Sequence, residues 1–263
     1  MPRFAANLTL MFTEVPFLER FERAAKAGFD AVEFQFPYAW PKDDVAAVLR
    51  ASGLKAVLHN LPAGDWAAGD RGLACRPDRV AEFRESVPVG IEYAKALGVD
   101  RLHCLSGIEP TDHAPSDVHR TYVENLRFAA AETAAAGIRL LIEPINRYDI
   151  PGMYLHRSAQ AIEVMDEVGS DKLFLQYDIY HAQRTEGELA ATMHRLLPRI
   201  AHIQIADNPG RHEPGTGEIN FPFLFDLMDR LGYDGWVGCE YVPVSETEAG
   251  LSWRATAPPP TPR

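Results

Sequence analysis

The chain has 263 residues, 46% of them hydrophobic and 24% charged, which is enough for an ample core and, with no long linker, points to one large domain. Its 37 acidic against 26 basic residues give a formal net charge of −11, which repels a phosphate backbone and leaves small molecules, not nucleic acid, as the expected ligands. Cys75, Cys104 and Cys239 are too few and too scattered for a disulfide framework or a cysteine-rich zinc site, and no run of about 18 apolar residues occurs, so a soluble, cytoplasmic protein with no membrane partner is expected.

From the N-terminus, residues 4–10 read as a strand. Pro16 then opens a helix in which Phe17, Phe21 and Ala24 recur at helical spacing, Gly28 supplies the stop, and Ala31-Val32-Glu33-Phe34 restarts the cycle. Residues 55–59, 101–105, 139–143, 173–178, 200–205 and 236–241 repeat the β-type run, with helices expected at 43–52, 78–97, 117–136, 158–168, 187–197 and 222–231. Eight strands with intervening helices over about 250 residues are the arithmetic of an α/β fold, the (β/α)8 TIM barrel, here spanning residues 1–254; an open doubly wound sheet is the alternative. The proline-rich segment 255–263 reads as an extended tail. The long connections 60–77, 106–117, 144–157 and 206–221 would rise from the carboxyl face of such a barrel, where ligands bind.

A strand inside a barrel should be apolar nearly throughout, so a polar residue at its carboxyl end needs a reason. Asn7, Glu33, His59, Glu143, Asp178, Gln204 and Glu240 all occupy such ends. Three carboxylates converging on one mouth repel one another unless a divalent cation neutralises them. Glu143, Asp178 and Glu240 with the amide oxygen of Gln204 make an oxygen-dominated set, suited to one Mg²⁺ or Mn²⁺ ion rather than to tetrahedral zinc. The bland alternative is that each acid ends its strand in a solvated rim or caps the next helix.

At this point the chain resembles the hydroxypyruvate isomerase family, within the metal-dependent xylose-isomerase-like barrels. The resemblance is carried by Asn7-Leu8, Val32-Glu33-Phe34, His59-Asn60-Leu61-Pro62-Ala63-Gly64-Asp65-Trp66, Ile142-Glu143-Pro144-Ile145-Asn146-Arg147, Gln176-Tyr177-Asp178-Ile179-Tyr180-His181, His202-Ile203-Gln204-Ile205-Ala206-Asp207, Gly215-Thr216-Gly217-Glu218-Ile219-Asn220 and Gly238-Cys239-Glu240-Tyr241, nearly from end to end. It implies metal ligation by Glu143, Asp178, Gln204 and Glu240, and a place for His181 beside the metal, at the substrate. It also implies interconversion of hydroxypyruvate and tartronate semialdehyde, with Glu143 and Glu240 as the two candidates for the proton shuttle. Sugar epimerases of the wider group have histidine where this chain has Gln204, a departure that strengthens the hard-cation preference and weakens any transfer of ketohexose epimerase activity.

The substrate carboxylate needs a partner. Arg211 and His212, in the loop after the Gln204 strand, are candidates, with Arg147 as another; His59 with Asn60, and Asn7, are further candidates for substrate contact. Trp66 and Tyr148 could close loops over the site, while Gly215-Thr216-Gly217 and Cys239 read as structural. The alternatives are an isomerase or epimerase of a longer 2-oxo acid or free ketose, and a catalytically inactive barrel that binds a sugar or acid. Family resemblance and exposed helices make a homo-oligomer plausible.

Overall fold

A computed structural model describes residues 2–256 of the chain. Eight parallel strands, β1 (Arg3–Asn7), β2 (Ala31–Glu33), β3 (Lys55–Asn60), β4 (Arg101–His103), β5 (Arg139–Ile142), β6 (Leu173–Asp178), β7 (Ile200–Ile205) and β8 (Trp236–Cys239), pair in chain order, and β8 returns to β1 to close the barrel. The TIM barrel therefore holds and the open sheet does not. The strands start where the apolar runs start, and several stop earlier than the sequence suggested because the mouth residues leave the ladder to reach the site.

Around the barrel lie α1 (Phe17–Lys26), α2 (Lys42–Ser52), α3 (Val80–Leu97), α4 (Pro115–Ala135), α5 (Ser158–Val168), α6 (Ile179–Thr185), α7 (Leu189–Leu196), α8 (Phe221–Leu231) and the short α9 (Trp253–Thr256). Helix α1 shows why they dock. Phe17, Phe21 and Ala24 form one buried stripe, and the Phe17 and Phe21 rings pack edge-on against Phe34, which follows β2. Helix α6 was not foreseen. It follows β6 with no linker because Asp178 caps it, its Oδ1 accepting from the backbone N–H of Tyr180 at 2.7 Å and of His181 at 3.4 Å.

The segment expected to be an extended tail begins differently: residues 255 and 256 belong to α9, and 257–263 lie outside the described residues. Trp253 of α9 packs edge-on against Phe4 at the β1 end of the closure.

Inside the barrel the floor is apolar, built from Ala5, Ala31, Val57, Leu58, Leu141, Ala201 and Trp236. The upper half is polar, which is unusual for a barrel interior filled by branched aliphatic residues. No helix among the described residues is long and apolar enough to cross a membrane.

Candidate active site

The polar half of the interior is built on Glu33, a carboxylate with no exposure to solvent. Its Oε1 accepts from Gln204 Nε2 at 2.7 Å and Asn7 Nδ2 at 2.9 Å, and its Oε2 lies 2.6 Å from His202 Nε2. Pairing of Asn7 with Glu33 across β1 and β2 aligns two of these groups. Gly238 makes room for them, since a Cβ there would lie 2.3 Å from a Glu33 oxygen. Because Gln204 must donate to Glu33, its carbonyl points the other way, where Gln176 Nε2 donates to it at 2.6 Å. One lone pair of that carbonyl remains.

Above this layer, Glu143, Asp178, His181 and Glu240 converge, one ligand atom of each lying within 4.8 Å of all the others. Asp178 spends Oδ1 on the α6 cap, leaving Oδ2 buried without a hydrogen-bond partner, and Glu143 Oε1 is orphaned in the same way. Glu240 is held on all sides: Oε1 accepts from Asn7 at 3.2 Å and Gln35 at 3.0 Å, and Oε2 from Arg211 at 2.5 Å. Burial raises the affinity of all three acids for protons, and repulsion adds to it, from Glu240 and Asp178 on Glu143, from Glu240 on Asp178 and from Glu33 on Glu240. Asp178 is pushed up to about 7, Glu143 rises well above the usual carboxylate range, and Glu240 rises too, although Arg211 opposes the shift in each. Orphaned buried oxygens in a cluster of like charges are the donor set of a hard cation, so these residues fit a divalent metal ion.

The tautomer of His181 follows from its neighbour. Asn146 Oδ1 accepts from the backbone N–H of Tyr148 and Asp149, at 3.0 and 2.9 Å, which turns the Asn146 amide nitrogen onto His181 Nδ1 at 2.7 Å. His181 Nδ1 is therefore the acceptor and Nε2 carries the proton. That Nε2 lies 3.6 Å from Asp178 Oδ2. Burial and the nearby Arg211 hold the imidazole well below its usual pKa, so it is a neutral donor facing the cluster.

A cavity of about 320 Å³ opens over the cluster. Of the residues singled out by sequence, Glu143, Glu240, His181 and Arg211 line it, together with Asn60 and Trp66. Arg211 adopts a left-handed backbone at φ 58, and its guanidinium sits over the Tyr180 ring. Asn7 and Gln204 lie beneath, in the Glu33 layer.

Three residues are not brought to the cavity. His59 packs on the helix side of β3, stacked on Phe34 and edge-on to Tyr38, because strand alternation gives the inward direction to Asn60. Arg147 is turned away to the Met153 carbonyl and Glu109, and His212 to the Val242 carbonyl. The Gly215 and Gly217 amides are occupied by Asp207 Oδ2, so that turn anchors the loop that presents Arg211.

Sequence reasoning missed His103, Gln35 and Gln176. His103 ends β4, lines the cavity, and places Nε2 3.6 Å from Glu143 Oε2; a polar residue closing an apolar strand was the signal that should have found it. Gln176 carried the same kind of signal, an amide inside the run Leu-Phe-Leu-Gln-Tyr-Asp.

Residues 21–257 match the family model described as xylose isomerase-like TIM barrel. The chain is 53% identical to hydroxypyruvate isomerase of Escherichia coli (strain K12), over 96% of this chain and 98% of that one. It is 50% identical to a 2-oxo-tetronate isomerase of Cupriavidus necator, over 96% and 97% of the two chains. A crystal structure described as AP endonuclease, family 2, from Brucella melitensis superposes with a TM-score of 0.95 at 45% identity, covering 97% of this chain and 99% of the other.

Proposed function

The chain belongs to the xylose isomerase-like TIM barrel family and is an isomerase, and from that premise we propose that it interconverts hydroxypyruvate and tartronate semialdehyde with the help of one divalent cation, Mg²⁺ or Mn²⁺. The observation that carries this reading is the buried convergence of Glu143, Asp178 and Glu240 with two unpartnered carboxylate oxygens. Glu143, Asp178 and Glu240 would hold the ion, with the free lone pair of Gln204 beside them; when bound, it polarises the carbonyl and stabilises negative charge on the neighbouring oxygens.

The protein's own groups account for the rest. Arg211 receives the substrate carboxylate at the rim of the cluster, and the His181 Nε2–H donates to an oxygen of the reacting pair. Glu143, raised well above the usual carboxylate range, is the more basic glutamate and would use for the proton an oxygen not committed to the ion; Glu240 is tempered by three donors. Glu143 takes the proton from C3, the C–H electrons become the double bond of a cis-enediolate, and the proton is returned to C2 while the O3 proton passes to O2. The carbonyl has then moved from C2 to C3.

A second reading, favoured by the Cupriavidus necator relative, is a four-carbon 2-oxo acid as the substrate. A nuclease would need a basic groove, which a chain of net charge −11 does not suggest.

The test is deuterium uptake from D₂O into hydroxypyruvate, with chelator and with added Mn²⁺. Uptake should require the metal, vanish in Glu143→Gln while Mn²⁺ still binds, and survive in part in Glu240→Gln. The assignment fails if Glu143→Gln exchanges normally, and a binding barrel is indicated if the unaltered protein never does.

A further inference from the structure

One part of the cavity lining has no role in the chemistry above. It is formed by His103 and Asn60, whose side chains meet at 3.2 Å between His103 Nδ1 and Asn60 Oδ1. His103 is 2% exposed and its Nε2 has no hydrogen-bond partner. A buried ring nitrogen left unpaired is costly, on the order of 1–3 kcal/mol, unless something that enters the cavity satisfies it.

Hydroxypyruvate does not supply that partner. With its carboxylate on Arg211 and its two reacting oxygens at Glu143, Asp178 and Glu240, every polar group of a three-carbon acid is already committed. A cavity of about 320 Å³ is also within the range of pockets that enclose drug-sized ligands, roughly 300–1,000 Å³, far more than such an acid occupies. A four-carbon 2-oxo-3,4-dihydroxy acid adds one hydroxymethyl group on C3, at the end of the chain farthest from the carboxylate. The same cavity is also lined by Leu105 and Ile145, apolar surface that suits the added methylene.

Resting on the isomerase reading above, we propose that His103, held by Asn60, is the residue that selects substrate length, its Nε2 hydrogen-bonding the terminal hydroxyl of a four-carbon 2-oxo acid. Asn60 Oδ1 can only accept, so His103 Nδ1 carries the ring proton and Nε2 is an acceptor, which the terminal hydroxyl satisfies by donating to it. The hydroxyl approaches from the cavity side, while Glu143 stands 3.6 Å from the same nitrogen. The carbonyl shift is unchanged: C3 still loses its proton and C2 gains it.

The experiment measures kcat/KM for hydroxypyruvate and for both C3 enantiomers of the four-carbon acid, in the unaltered protein, His103→Leu and Asn60→Ala, all loaded with Mn²⁺. His103→Leu should lower kcat/KM for one four-carbon enantiomer by about tenfold or more, the value of one buried hydrogen bond, and change hydroxypyruvate by less than about threefold. Asn60→Ala, which keeps the imidazole but frees it, should shift the ratio the same way by less. Equal losses on both acids in both variants would overturn the specificity role and leave the isomerase standing. Turnover of hydroxypyruvate alone by the unaltered protein would also overturn it, and turnover of neither acid would remove the isomerase reading along with it.

Discussion

Arg211 donates to Glu240 across 2.5 Å, and the same guanidinium stands 3.8 Å from Asp178 Oδ2. Glu240, Asp178 and Glu143 together hold the guanidinium charged although burial opposes it, so a fixed positive charge faces the substrate end of the cluster. Arg211→Gln should raise KM for the acid with a smaller effect on kcat. Losing a charge-assisted hydrogen bond of about 1.5–3 kcal/mol corresponds to a roughly 10- to 100-fold fall in kcat/KM. Steady-state kinetics with the acid and with an uncharged analogue decide it, because the analogue should be almost indifferent to the change.

Burial, with repulsion from Glu240, moves Asp178 from 3.8 to about 7, and Glu143 and Glu240 move the same way. An acid with a raised folded pKa keeps its proton in the fold after the unfolded chain has ionised. Its contribution to stability is complete below about 3.8 and is lost as the pH climbs through about 7. His59 acts oppositely: burial lowers it from 6.5 to about 4, so its loss comes on acidification below 6.5 and does not affect the slope above it. Without divalent cation, Tm should therefore fall between pH 6.5 and about pH 8. A flat or rising Tm in chelator would contradict the cluster's electrostatics.

The same cluster predicts what an added cation does. Free Mn²⁺ at about a hundred times its Kd should add about 2.7 kcal/mol of stability by mass action, seen as a Tm higher by several degrees. The alkaline fall in Tm should also flatten, because the ion replaces protons as the neutralising charge. Absence of any Tm response to Mg²⁺ and Mn²⁺ would argue that these carboxylates hold no metal.

Glu33 touches neither the cavity nor the orphaned oxygens, yet it orients Gln204 directly and shares Asn7 with Glu240. Glu33→Gln removes the anion that keeps the Gln204 amide turned. Mn²⁺ affinity by titration calorimetry should drop about 10- to 100-fold, as for other residues that orient metal ligands. Thermal unfolding in chelator separates this from simple loss of the fold, since an apoprotein with near-normal Tm and weak Mn²⁺ binding is the expected result.

His59→Gln tests the alternation in β3. With its ring packed against Phe34 and Tyr38, replacement should cost stability, of order 1 kcal/mol or more for a disturbed buried polar group, while kcat/KM changes less than about twofold. A large rise in KM at unchanged Tm would put His59 back at the substrate.

The strand count, the helix positions and the acids at the strand ends were legible in the chain because each is a local signal. Apolar runs of period two alternate with stripes of period 3.6, and Glu143 or Glu240 closing such a run is conspicuous within a few residues. What could not be read is which way a polar residue turns once its strand has ended. His59 and Asn60 are adjacent, and only the register of β3 against β4 decides that Asn60, not His59, meets His103. Arg147 and His212 sit in the right loops but are claimed by Glu109 and by the Val242 carbonyl, partners about thirty or more positions distant in the chain. The Glu33 layer likewise gathers side chains from β1, β2 and β7, whose convergence exists only after the barrel has closed. Local periodicity specifies elements; side-chain direction at a mouth is decided by competition for hydrogen bonds and charge among residues that folding alone brings together.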